Sequence, residues 1–137
     1  GELVINANGI VATPDNGTLI VVNSASGRLY TVDPDTGIAQ EIDLGGGGVP
    51  FGDGLVLRGK TLYVVQNLVN QVSVFTLNPD YSVATFTHSL TGGGFDTPST
   101  ADLFGSWLYV VNARFFDCMP LEYCPPTTEF NVVRVDE

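Results

Sequence analysis

The hexapeptide TLIVVN at residues 18–23 returns as TLYVVQ at 61–66 and as WLYVVN at 107–112. The copies recur at a spacing of about 45 residues, the period of arrays built from short-stranded units. Each is a continuous apolar run closed by an amide, the pattern of a strand covered on both faces. Around the first copy, Pro14-Asp15-Asn16-Gly17 and the segment 24–27 supply turns. RLYTVD then alternates up to Pro34-Asp35-Thr36-Gly37, and IAQEIDL closes the unit as an amphipathic outer strand. With NGIVA at its start, this first unit holds four strands.

The second unit repeats the plan with GLVLR, TLYVVQ, QVSVFTLN and SVATFTHSL, and Asn78-Pro79-Asp80 stands where Asp33-Pro34-Asp35 stood. The third offers TADLF and WLYVVN, detours through 113–129, and resumes as FNVVRVD. The units run over residues 8–44, 53–90 and 99–136, the third lacking its outermost strand. ELVIN at 2–6 is a strand without a unit of its own, placed to complete a neighbouring or partner blade. The expected fold is therefore all-β: a β-propeller segment of three four-stranded blades. No sustained 3.6-residue period predicts a helix. Propellers close with roughly four to eight blades, so three require a partner: a second copy of the chain, or a separate chain carrying the N-terminal half.

Fifteen acidic residues against five basic ones give a net charge of −10 over 137 residues. Nucleic acid and anionic membranes both demand a basic footprint, so neither is an expected partner. No apolar run approaches the roughly 20 residues that span a bilayer. The first residues lack the basic and apolar regions of a signal peptide, so the chain is either cytosolic or already processed. Cys118 and Cys124 bracket a Pro-rich loop, which reads as a small disulfide and an extracellular or periplasmic location, with a pair of free thiols as the alternative. Asn16-Gly17-Thr18 matches the glycosylation acceptor pattern, and Asn-Gly turn chemistry accounts for it equally well.

The run from Asn6-Ala7-Asn8-Gly9-Ile10 through TPDNGTLIVVNSASGRLYTVDPDTG resembles six-bladed propellers of the gluconolactonase, senescence-marker-protein and NHL-like group. DGL at 53–55 and FGSWLYVVNARF at 104–115 share the likeness, which extends over almost the whole chain. It implies the C-terminal half of a six-bladed molecule. It also implies a lactonase-like hydrolase, or a degenerate relative, with calcium or another divalent cation in the central channel. On that likeness Asn8 and Asp53 are the metal ligands, each followed by glycine, and Asp53 is the catalytic acid/base. Carboxylate and amide oxygens suit hard cations, and glycine permits a tight loop beside them. Tight turns leading into strands are the plain structural alternative. The family's glutamate ligand has no counterpart here, and repeat three offers only Ser99 and Thr100 at the corresponding place. Two good ligands fall short of the six to eight oxygens calcium prefers. The competing function is a non-catalytic propeller that binds carbohydrate or protein through its rim.

Asn23, Gln66 and Asn112 end the signature strands at equivalent positions. A ring of such amides would line the channel together with Ser99 and Thr100 and take a small polar molecule; alternatively they terminate the strands through backbone hydrogen bonds. His88, the only histidine, is expected to face solvent on an outer strand. The glycine runs at 45–48 and 92–94 are expected to connect blades, since a phosphate cradle needs a following helix.

Overall fold

The computed structural model describes residues 5–118, 125 and 127–136. The first sheet is an antiparallel meander of β1 (Ala7–Ala12), β2 (Leu19–Asn23), β3 (Arg28–Val32) and β4 (Ala39–Glu41). The second repeats it with β5 (Gly52–Arg58), β6 (Thr61–Gln66), β7 (Gln71–Leu77) and β8 (Ala84–Thr91). The third has three strands, β9 (Pro98–Phe104), β10 (Trp107–Asn112) and β11 (Asn131–Val135), with β10 in the middle. Together they form a partial β-propeller whose innermost strands, β1, β5 and β9, lie side by side.

Turn residues do the local work. Asp33 accepts hydrogen bonds from the Asp35 and Thr36 amides, and Asp80 from the Ser82 amide and hydroxyl. These side chain–backbone bonds fold the β3–β4 and β7–β8 connections as the sequence predicts.

Two cores separate the blades. Ile20, Val22 and Leu29 of the first sheet pack with Leu55, Leu62, Val64 and Phe75 of the second. On the other face of the second sheet, Val56, Tyr63, Val65 and Val72 pack with Leu108 and Val110 of the third. Only β6 meets the expectation of burial on both faces, sending alternate residues into the two cores. β2 and β10 bury one face and leave Leu19, Val21, Trp107, Tyr109 and Val111 half-buried, because their sheets stand at the ends of the arc.

Two expectations need amendment, and a third falls largely outside the described residues. IAQEIDL does not run as one outer strand: β4 ends at Glu41, and Ile42 and Leu44 turn into the core between the first two blades. Burying two large aliphatic side chains, about 1.5–3 kcal/mol each, outweighs a few edge-ladder hydrogen bonds. Short 3₁₀ turns occur at Asn67–Val69 and Phe115–Cys118, where no helix is expected; such turns serve as connectors and need no amphipathic period. The strand expected at 2–6 falls mostly outside the described residues. Its last member, Asn6, accepts from the Ser24 amide (2.9 Å) and from the Asn23 side chain (2.8 Å), just beyond the β1–β2 ladder.

Candidate functional site

At the same point of each blade, the innermost strand carries one residue too many. β1 pairs Ala7 with Asn23 and Ile10 with Val21, and β5 pairs Gly52 with Gln66 and Leu55 with Val64. β9 pairs Pro98 with Asn112 and Thr100 with Val111. The resulting bulges contain Asn8-Gly9, Asp53-Gly54 and Ser99. A bulge re-aims its side chain out of the ladder, and bulges gather beside functional sites.

The bulges also nest into one another. A β-carbon on Gly9 would collide with the Asp53 carbonyl oxygen, and one on Gly54 would lie 2.6 Å from the Thr100 Cα and 2.9 Å from the Ser99 carbonyl oxygen. Glycine is required at both places because the next blade's backbone occupies the space a side chain would need. Ser99 and Thr100 thus form the bed on which β5 rests.

This nesting brings Asn8 and Asp53 together. Asp53 is half-buried and receives side-chain hydrogen bonds from Asn67 and Asn8. Burial lifts its carboxyl above the ordinary carboxylate value, and the two amide donors pull the other way. Asn67 Nδ2 stands 3.0 Å from Asp53 Oδ2, while Asn67 Oδ1 accepts from the Leu68 amide at 2.7 Å. Asn67 is therefore fixed as a donor to the Asp53 carboxylate. Asn8 Nδ2 donates to Ser24 Oγ (3.1 Å), and that hydroxyl donates to the Gly52 carbonyl, tying the first bulge to the start of β5.

Apolar side chains border the group. Phe51, two residues before Asp53, holds a left-handed φ of 57° and is 44% exposed. Its carbonyl accepts from the Asn67 amide, placing the exposed Leu68 and Val69 beside it. An exposed aromatic in a conformation that bulky residues avoid, next to a half-buried carboxylate, has the chemistry of a ligand rim.

The terminal amides serve the scaffold. Gln66 and Asn112 are buried: Gln66 donates to the Pro50 carbonyl (2.8 Å) and accepts from Ser73, and Asn112 donates to Gly94 O and accepts from the Asp96 amide. Each clamps the incoming blade-to-blade loop onto its sheet. Asn23 bonds Asn6 and the Ser26 amide. His88 is exposed on β8. Cys118 is buried at the end of the second 3₁₀ turn, and Cys124 lies outside the described residues. Asn16 sits in the β1–β2 turn at φ 58°.

Asn67 and Ser24 were not expected from the sequence. Each directly follows a signature strand, and that shared position was the available signal. Among the described residues no three His, Cys, Asp or Glu side chains group in a way that would hold a metal. A surface depression of about 330 Å³ lined by Arg114, Asp117, Pro125 and Glu129 shares no residue with the Asp53 group. Arg114 there is committed to Asp96 (2.8 Å) and Asp117 (3.1 Å).

No family model and no curated protein sequence matches the chain. Solved structures do. The chain is similar to the Malassezia sympodialis allergen Mala s 1, with TM-score 0.68 and 17% identity over 99% of this chain and 43% of the allergen. It is similar to a luciferin-regenerating enzyme, with TM-score 0.64 and 14% identity over 96% of this chain and 45% of that one. A putative 6-phosphogluconolactonase from Bacteroides uniformis matches with TM-score 0.58 and 18% identity over 77% of this chain and 33% of that one. These likenesses show the fold. The chain spans less than half the length of each.

Proposed function

We propose that this chain supplies part of the channel site of a lactonase-like hydrolase of the gluconolactonase type, with Asp53 as the acid/base group. The observation that carries the reading is the half-buried Asp53 carboxylate, re-aimed by a bulge and flanked by Asn8 and Asn67. A carboxyl raised above its ordinary value by burial accepts and returns protons more readily than an exposed one. In lactone hydrolysis Asp53 takes a proton from water as the hydroxyl adds to the carbonyl carbon. The ring C–O bond then breaks, and the proton passes to the departing alkoxide.

Asn8 and Asp53 offer an amide and a carboxylate oxygen, the hard donors that calcium and similar divalent cations choose. They fit such an ion in kind, and the remaining ligands must come from water or from the rest of the ring. A bound divalent cation would polarise the lactone carbonyl as a Lewis acid. Phe51, Leu68 and Val69 would cover the apolar part of the substrate. The Cys118–Cys124 disulfide and an extracellular or periplasmic location belong to this reading.

The alternative is a propeller that binds through its rim without catalysis; the nesting of Gly9 and Gly54 against neighbouring backbone explains both glycines without any reaction and is compatible with either role. A panel of aliphatic and aromatic lactones separates the two. The hydrolase reading expects turnover that falls by about 100-fold or more in Asp53→Asn. No hydrolysis of any lactone, or equal rates in both proteins, would overturn it.

A further inference from the structure

We infer that the Asp53 site selects neutral lactones carrying an aliphatic or aromatic substituent, with Phe51, Leu68 and Val69 as the residues that set this specificity. The inference rests on the hydrolase reading and adds the substrate class to it. All three residues lie in the connections of the middle blade, whose sheet has a neighbour packed on each face. They are nevertheless 44%, 47% and 43% exposed.

The backbone around them is fixed. Three successive carbonyls are held: Pro50 accepts from the Gln66 side chain at 2.8 Å, Phe51 from the Asn67 amide at 3.2 Å, and Gly52 from the Ser24 hydroxyl. Phe51 is thereby kept at a φ of 57°, where a bulky residue is strained and Asn is tolerated. Leu68 and Val69 sit in a 3₁₀ turn tied at both ends. Asn67 Oδ1 accepts from the Leu68 amide, and Asn70 Oδ1 accepts from the Thr97 amide at 2.8 Å, just before the third blade. No residue of that turn is buried, so neither side chain serves a core. Asn67 also holds Asp53 Oδ2 at 3.0 Å, so one residue sets both the apolar rim and the carboxylate.

Charge separates this substrate class from anionic lactones. A phosphorylated or acidic lactone calls for a cationic partner. Arg28, Arg58, Lys60, Arg114 and Arg134 are the five basic residues of the chain, and each holds partners outside the Asp53 group. The net charge of −10 further repels an anion. A polyhydroxylated sugar lactone would press hydroxyl groups against Phe51, Leu68 and Val69, losing water without gaining hydrogen bonds. An alkyl or aryl substituent gains there from leaving water.

Steady-state kinetics of the full chain on γ-butyrolactone and γ-decalactone, which share a ring and differ by a hexyl chain, tests the inference. A fully buried methylene is worth about fourfold, and a half-open rim realises part of that. The kcat/KM ratio should therefore favour γ-decalactone by about 30-fold or more. Phe51→Asn, Leu68→Ser and Val69→Ser should each lower the ratio by about fivefold or more. Ile38→Asn, at an exposed apolar residue between β3 and β4, should leave it unchanged. Phe51→Asn should also melt no lower than the wild type, whereas a purely structural Phe51 would lose stability. Calorimetric binding of the two corresponding lactams, which resist hydrolysis, separates the possible failures. Tighter binding of the hexyl lactam without turnover of any lactone upholds the apolar selection and leaves the hydrolase reading alone to fall. Equal kcat/KM for the two lactones, a preference for glucono-δ-lactone or its phosphate, or an undiminished ratio in the rim variants would overturn the inference with the hydrolase reading intact. Absence of both turnover and lactam preference would overturn the two together.

Discussion

Gly9 lies against the carbonyl of Asp53 so closely that a β-carbon on it would collide with that oxygen. One blade's innermost strand therefore seats itself on the bulge that aims the candidate catalytic carboxylate of the next. Gly54 repeats the arrangement against Ser99 and Thr100, and the site's geometry and the blade packing become one constraint.

Alanine at Gly9 or Gly54 should cost about 3 kcal/mol or more, since backbone rather than a mobile side chain stands in the way. Gly37, with φ 71° and open space around it, provides the comparison. Alanine there should cost only about 1 kcal/mol, the strain of a left-handed conformation. Urea denaturation of the three variants reads the difference. Equal losses at Gly9 and Gly37 would contradict the nesting.

Asp53 makes the folded state pH-dependent in a direction opposite to most surface carboxylates. Burial raises its folded value above 3.8, so the folded state holds the proton more tightly than the unfolded chain does. Its contribution is present at pH below 3.8 and is lost as the pH rises through the folded value. Asp15, Asp33 and Asp80 act in the opposite sense: hydrogen bonds from Thr13, from the Thr36 amide and from Ser82 lower their values. Asp53→Asn should therefore equal or exceed the wild type in melting temperature at pH 7 in chelator, with the advantage vanishing near pH 3. A variant less stable at pH 7 than at acid pH, relative to wild type, would reverse the sign.

Leu62 and Leu19 hold the same register place in neighbouring blades, one wholly buried and the other half-buried. Leu62→Ala should cost about 2–5 kcal/mol, as cavities in packed cores do. Leu19→Ala should cost less than about 1 kcal/mol. Chemical denaturation at low protein concentration checks both.

Much of the arc was legible before any coordinates. The apolar runs at 18–23, 61–66 and 107–112 become the middle strands β2, β6 and β10, and the Asp and Asn turn residues make the bonds their chemistry predicts. Asn8 and Asp53 were visible as Asn-Gly and Asp-Gly pairs, but the reason for the glycines was not. It lies in the approach of strands about 45 residues apart, which no local pattern encodes. Ile42 and Leu44 misled for a related reason: their alternation fits an outer strand, yet the space between blades draws both inward. Asn67 escaped notice because its role depends on a single 3₁₀ turn that places its amide beside Asp53.

The central claim, that Asn8 and Asp53 hold a divalent cation, is tested most directly by thermal denaturation with and without calcium. Binding to the folded state alone adds about 2.7 kcal/mol at 100 times the dissociation constant. The account predicts that calcium raises the melting temperature of the wild type and leaves that of Asp53→Asn unchanged. A wild-type melting temperature indifferent to calcium, or an equal rise in the variant, would contradict it.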